Sequence, residues 1–361
     1  MKKIYLLYIS LLACISTFSQ SSIRMSDYWV DTYFINPASI DEYFSFLKLG
    51  ASYRNQWFGI EGAPQTGMFS ASMYFNNKGD RNGHSIGLNG TYDEIGYTKT
   101  INVGPTYAFS FDLVDYRDYY CLVGLGVSPR FQALFYDFEK IITDETVETM
   151  PMPYHFEENK QMINFDVGME TLFGKDGAWN CLVGFCVQNI TSVFDENNTT
   201  PFANNYILYA QAKTDRYKNF NGGLYCDFSL GVAGILSQNV NSIGELTSDI
   251  YQMEYFGKFH WYINSENVVA VGPFGRNKRE WRTLHDWGLL GEYEYKRKIK
   301  LSLTYEQNFS TIAEFSSWGG GGTVELALIY RLYPSVEKRD RNPNSRADKG
   351  CPDSFKYYQE F

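Results

Sequence analysis

The chain has 361 residues, a formal net charge of -9, and 29 Tyr, 27 Phe and 7 Trp, an aromatic share of 17%. The acidic balance and the lack of any Lys/Arg stripe exclude a nucleic-acid binder. Mean hydropathy is -0.33, and past the first twenty residues no run approaches the ~18 apolar residues of a spanning helix, so helical membrane proteins are excluded as well.

The chain opens with Lys2 and Lys3, an apolar core from Ile4 to Ile15, and Thr17-Phe18-Ser19 before Gln20, which reads as a signal peptide over 1–19. A competing reading takes Leu11-Leu12-Ala13-Cys14 as a lipobox with Cys14 lipidated; Leu12 fits that pattern poorly. Residues 20–43 are then an N-terminal periplasmic or plug segment.

From residue 44 the pattern changes to segments that alternate apolar and polar residues. Strands are predicted over 44–53, 65–76, 84–92, 97–112, 118–136, 163–173, 180–190, 205–214, 220–236, 250–263, 267–272, 285–295, 299–308 and 322–333. In 299–308, Ile299, Leu301, Leu303 and Tyr305 share one face while Lys300, Ser302, Thr304 and Glu306 share the other. In 322–333 the apolar set is Val324, Leu326, Leu328, Tyr330 and Leu332, with Glu325 and Arg331 opposite. An apolar outer face with a polar inner one is the signature of a transmembrane antiparallel β-barrel of about 14 strands over 44–333. Tyr and Trp at this density suit a wall that crosses two membrane interfaces, with outer-membrane lipid as a partner. Pro105 and Pro129 suggest bulges, or strand portions rising beyond the membrane. With the N-terminus in the periplasm, the outer connections, except the short second one at 93–96, are long and the inner ones are short, the asymmetry of outer-membrane barrels.

Inward parity falls on Asp166, Glu170, Asp227, Glu254, Glu292, Glu294, Glu306, Glu325, Lys258, Lys300 and Arg331. Such groups either pair and fill the lumen or grip a polypeptide segment that enters it. After the signal, Cys121, Cys181, Cys186, Cys226 and Cys351 remain, an odd number at irregular spacing and no disulfide framework. The four histidines, His84, His155, His260 and His285, are scattered, and no catalytic motif occurs, so no enzyme, cofactor or metal site is expected. A passive channel or a fatty-acid-type transporter for hydrophobic solutes remains the alternative function, with 20–43 as its plug. The polar tail 334–361 is expected in the periplasm; its Asp348-Lys349-Gly350-Cys351-Pro352-Asp353 lacks most ligands of a calcium-binding repeat.

Several short elements carry more. Phe34-Ile35-Asn36-Pro37-Ala38 is followed by Tyr53-Arg54-Asn55-Gln56-Trp57-Phe58-Gly59, Gly62-Ala63-Pro64-Gln65-Thr66, Asp93-Glu94-Ile95-Gly96 and, near the end, Gly322-Thr323-Val324-Glu325-Leu326. This order resembles the PorP/SprF family of Bacteroidota outer-membrane proteins, densely over 34–110 and thinly over 137–321. The resemblance implies a component of the type IX secretion system that assists export and surface attachment of cargo such as adhesins, including those of gliding motility. Implied partners are the cargo C-terminal domain and other components of that system. The implied cargo-binding or structural-latch residues are Asn36, Pro37, Arg54, Gln56, Trp57, Gly62, Ala63, Pro64, Thr66, Asp93, Gly96 and Glu325. Arg54 supplies a fixed cation able to fork onto a carboxylate. The loop between Trp57 and Pro64 is too apolar for a free tip and is expected to fold against the barrel mouth.

Overall fold

The computed structural model describes residues 26, 29–39, 46–58, 62–76, 82–96, 98–116, 119–136, 160–175, 178–190, 204–214, 225–237, 250–264, 267–278, 284–296, 298–308 and 322–332. Residues 1–25, including the segment expected to be a signal peptide, the tail 334–361 and much of the long connections lie outside them.

Fourteen strands follow one another: β1 (Leu47–Asn55), β2 (Gln65–Asn76), β3 (Gly83–Ile95), β4 (Thr98–Tyr116), β5 (Tyr119–Tyr136), β6 (Lys160–Lys175), β7 (Trp179–Gln188), β8 (Asn205–Thr214), β9 (Tyr225–Ser237), β10 (Ile250–Tyr262), β11 (Val268–Lys278), β12 (Leu284–Tyr295), β13 (Ile299–Asn308) and β14 (Thr323–Leu332). Each pairs antiparallel with its sequence neighbours, and β14 pairs with β1 from Leu47↔Leu332 to Asn55↔Val324, closing the barrel. Closure satisfies every wall strand and leaves no lipid-exposed edge at that seam. Among the described residues no helix is long and apolar enough to cross a membrane.

The alternation in sequence becomes two faces of one wall. In β14, Val324, Leu326, Leu328, Tyr330 and Leu332 are exposed, while Thr323, Glu325, Ala327, Ile329 and Arg331 are buried. In β13, Leu301, Leu303 and Tyr305 face out and Ser302, Thr304 and Glu306 face in. On the outer face, the tyrosine hydroxyls of Tyr53, Tyr92 and Tyr305 donate to Gln65 (3.1 Å), Glu94 (2.7 Å) and Gln307 (3.0 Å). Such amphipathic rings mark a membrane interface, here at the rim from which the long connections leave. At the opposite rim the ammonium groups of Lys175 and Lys296 lie over the rings of Tyr119 and Tyr295.

Two expectations need correction. The register is the same on both sides of Pro105 and Pro129, with Val103↔Phe131 and Tyr107↔Val127, so no residue is inserted there; the shift falls between Asp112 and Val114. Two residues without a backbone N–H face each other across that gap, and missing donors interrupt a ladder without changing its register. Second, β11 runs to Lys278 instead of ending at 272, which reduces its outer connection to 279–283. The predicted strand over 220–236 is observed from Tyr225; its first residues, 220–224, lie outside the described ones.

Candidate functional site

Residues 26 and 29–39 lie inside the barrel, in contact with strands on all sides. Asp31 accepts from the Tyr33 N–H (3.1 Å) and so caps a single 3-10 turn, Thr32–Phe34. That turn directs two rings to different walls. Phe34 packs with Met68 of β2, whereas Trp29 enters a cluster with Cys186, Ile207, Tyr209, Ala233, Phe256 and Phe274, its ring 4.6 Å from that of Phe256.

Three polar anchors hold the segment. At the long-connection rim, Arg54 donates to Glu325 and to Glu306, each at 2.9 Å, and to the Ser26 hydroxyl at 3.1 Å. Arg276 donates to Glu254 (2.6 Å), to the other oxygen of Glu306 (2.8 Å) and to the same Ser26 hydroxyl (2.8 Å), with Asp286 at 3.8 Å. The Ser26 N–H completes the anchor by donating to Glu325 at 2.9 Å. The charged residues come from β1 and β10 to β14, consecutive members of the ring across its seam. All are buried, so each ion is stabilised by its partners and not by water.

The second anchor is the Lys48 ammonium on the Asp31 carboxylate at 2.7 Å, both fully buried. The third is the Asn-Pro-Ala element. Asn36 accepts from the Ala38 N–H (2.9 Å) in an Asx turn and donates to the Met169 carbonyl (3.2 Å) and the Tyr209 hydroxyl (2.9 Å). Tyr209 in turn donates to Glu170. Gly126 and Gly168 face each other in β5 and β6, and any Cβ there would overlap Pro37 and the Asn36 side chain. These two glycines form a notch in the wall that admits the turn.

The remaining motif residues share one level of the wall. The ladder pairs Glu325↔Arg54, Arg54↔Thr66 and Thr66↔Asp93, a row across β14, β1, β2 and β3. Thr66 donates to Asp93 and so continues the row laterally. Above it the first connection is stitched down by its main chain: the N–H of Gln56 to Pro64 O (2.9 Å), of Phe58 to Gly322 O (2.8 Å) and of Gly96 to Gly62 O (3.0 Å). Gly62 and Gly96 have φ of 73° and 60°, and Trp57 adopts φ 56°. The first two explain glycine in their elements, since a Cβ is disfavoured at such angles. Trp57 and Ala63 are half-buried, Pro64 is buried, and Phe58 and Gly62 are exposed, so the two ends of the connection are packed down at the rim; residues 59–61 lie outside the described ones.

Of the residues singled out in sequence, Asn36 and Pro37 lie at the notch, Arg54 and Glu325 in the rim anchor, Thr66 and Asp93 in its lateral extension, Gln56, Trp57, Gly62, Ala63 and Pro64 in the connection above, and Gly96 in the turn after β3 that is bonded to it. The sequence reading did not mark Ser26, Lys48, Gly126, Gly168, Tyr209 or Arg276. Inward parity within a predicted strand was the available signal for Lys48 and Tyr209; Arg276 lies past the end of its predicted strand. His260 and Glu254, which share strand parity, lie in separate contacts: His260 with Ser229 (2.8 Å) and Glu254 with Arg276. Among the described residues no group of His, Cys, Asp or Glu is arranged to hold a metal, and Cys121, Cys181, Cys186 and Cys226 are free thiols.

These features define an outer-membrane-type β-barrel that holds a segment of its own chain in the lumen. Residues 17–330 match the family described as type IX secretion system membrane protein PorP/SprF, and the chain belongs to that family. It is therefore an outer-membrane component of that secretion system, and membership implies interaction with the other components. No curated protein matches the chain. Solved structures that it resembles include the CymD monoaromatic hydrocarbon channel, at 8% identity and TM-score 0.46 over 86% of this chain and 94% of that one. The TodX deltaS2S3 mutant monoaromatic hydrocarbon channel gives 8%, 0.45, 86% and 94%. CdiB from Acinetobacter baumannii gives 5%, 0.38 and 79%, and the chain spans 60% of its length.

Proposed function

We propose that the protein is a non-enzymatic docking component that assists export and surface attachment of type IX cargo, such as gliding-type adhesins, by engaging the cargo's C-terminal domain at the long-connection mouth. The observation that carries this reading is the lumenal segment. Residues 29–39 bridge walls on opposite sides and are held by a buried ion pair and by hydrogen bonds, an arrangement that favours a scaffold over an open conduit. The first connection, fastened to the rim beside Arg54, offers a preorganised surface for a partner. A passive channel would need a clear path, and the segment stands against one; a plugged transporter for hydrophobic solutes would need a longer plug with an apolar groove, whereas this short segment is fastened largely by polar contacts. Deleting the gene tests the reading: a specific large surface protein should be lost from the cell surface while small-solute permeability stays unchanged. Unaltered surface proteins together with reduced solute uptake would favour the transporter.

A further inference from the structure

The inner wall reads its own segment in two ways. Some contacts recognise the main chain of whatever lies there: Glu325 accepts from the N–H of Ser26, Asn89 donates to the carbonyl of Tyr33 (3.4 Å), and Gln188 donates to the carbonyl of Ile35 (3.0 Å). Others recognise side chains at regular spacing. A hydroxyl at 26 meets Arg54 and Arg276, a carboxylate at 31 meets Lys48, and a carboxamide at 36 meets Met169 and Tyr209. The chain therefore presents one polar group of defined type every five residues, and the Gly126/Gly168 notch fixes where the third must fall.

We propose that this lumenal surface is an exchangeable peptide-binding site: a segment of the secreted client that can adopt the same turns, carrying a hydroxyl, a carboxylate and a carboxamide at five-residue intervals, takes the place of residues 26–39. The proposal rests on the reading that the barrel engages a client polypeptide. Its physical basis is that every anchor is a hydrogen bond or ion pair between groups that another peptide can supply. Departure of the segment takes the Asp31 carboxylate from Lys48 and the shared Ser26 hydroxyl from Arg54 and Arg276, in a site where buried charge depends on its partners. A replacement with the same groups restores those contacts, whereas an empty lumen does not, so exchange is favoured over simple opening. The main-chain contacts add affinity without demanding sequence, and the spaced side-chain contacts add selectivity.

The test uses the full-length protein, purified in detergent, with a specific protease site placed between Ile40 and Ser45. The site is cut after folding, and a synthetic peptide of residues 24–41 bearing a C-terminal dye is added. The labelled peptide should bind the cut protein saturably, with mass spectrometry showing release of the resident segment, and should bind the uncut protein more weakly, because there the tethered segment competes at high effective concentration. Unlabelled peptides with Asp31→Asn or Asn36→Ala should compete about ten-fold worse, the loss expected from one charge-assisted or buried hydrogen bond. The variant Gly168→Leu, which fills the notch, should lose binding while keeping heat-modifiable migration, the sign of an intact barrel. A segment that stays bound after cutting, equal competition by a scrambled peptide, or no saturable binding to emptied barrel would each overturn the proposal. None of these arms involves a client, so failure here is distinct from a gene deletion that leaves surface proteins unchanged.

Discussion

Arg54 serves two carboxylates and one hydroxyl, and Glu306 bridges it to Arg276. Replacing Arg54 with Met leaves Glu306 and Glu325 buried without that cation. The expected cost is about 3–5 kcal/mol, seen as a lower temperature for loss of the folded band in detergent gels. Arg54→Lys should fall between, since an ammonium cannot fork onto both carboxylates; a wild-type transition for Arg54→Met would show that water, and not Arg54, compensates the acids. Tyr209→Phe removes a hydroxyl that bonds both Asn36 and Glu170, at a cost of about 1–3 kcal/mol, and should make 29–39 more sensitive to protease. Arg54 and Glu325 were legible as elements of a pattern but not as partners. They lie 271 residues apart, and only closure of the ring makes them opposite each other. Gly126 and Gly168 carried no signal at all, because a glycine in a strand announces its neighbour only once the register is known.

At the scale of elements, period-two alternation located all fourteen strands, because lipid on one side and a filled lumen on the other impose the same pattern everywhere. The misses have local causes. Gly272, Pro273 and Gly275 hide the continuation of β11, yet the ladder runs on to Asn277↔Leu284, and Tyr255 covers the outer side of Gly275. The row Glu325, Arg54, Thr66, Asp93 ties the rim anchor to the first connection and the Gly96 turn. Asp93→Ala should therefore loosen the loop, exposing 59–61 to limited proteolysis while the barrel stays folded; unchanged cleavage would confine the row's effect to β1–β3. The connection lengths make a separate prediction: a protease-accessible tag within 191–203 or 238–249 should be cut on whole cells, and one after Lys349 protected. The reverse pattern would invert the topology.

For the molecule as a whole, the sequence disclosed inward charge but not what it holds. The buried acids and bases pair with each other and with the chain's own residues 26–39, so lumen and segment form one folded unit. A closed ring with a segment fastened inside it should resist unfolding in detergent until boiled, and the unboiled form should migrate faster in a gel. The central claim is that this barrel docks type IX cargo and does not conduct solutes. Its most direct test is a mild-detergent pull-down of tagged protein with mass spectrometry, for wild type and for Arg54→Ala combined with Trp57→Ala, paired with solute uptake into liposomes holding the purified barrel. The account predicts a secretion-system component and a secreted cargo recovered with wild type, less cargo with the double variant, and negligible uptake. Recovery of neither, together with rapid uptake through the wild-type barrel, would contradict it.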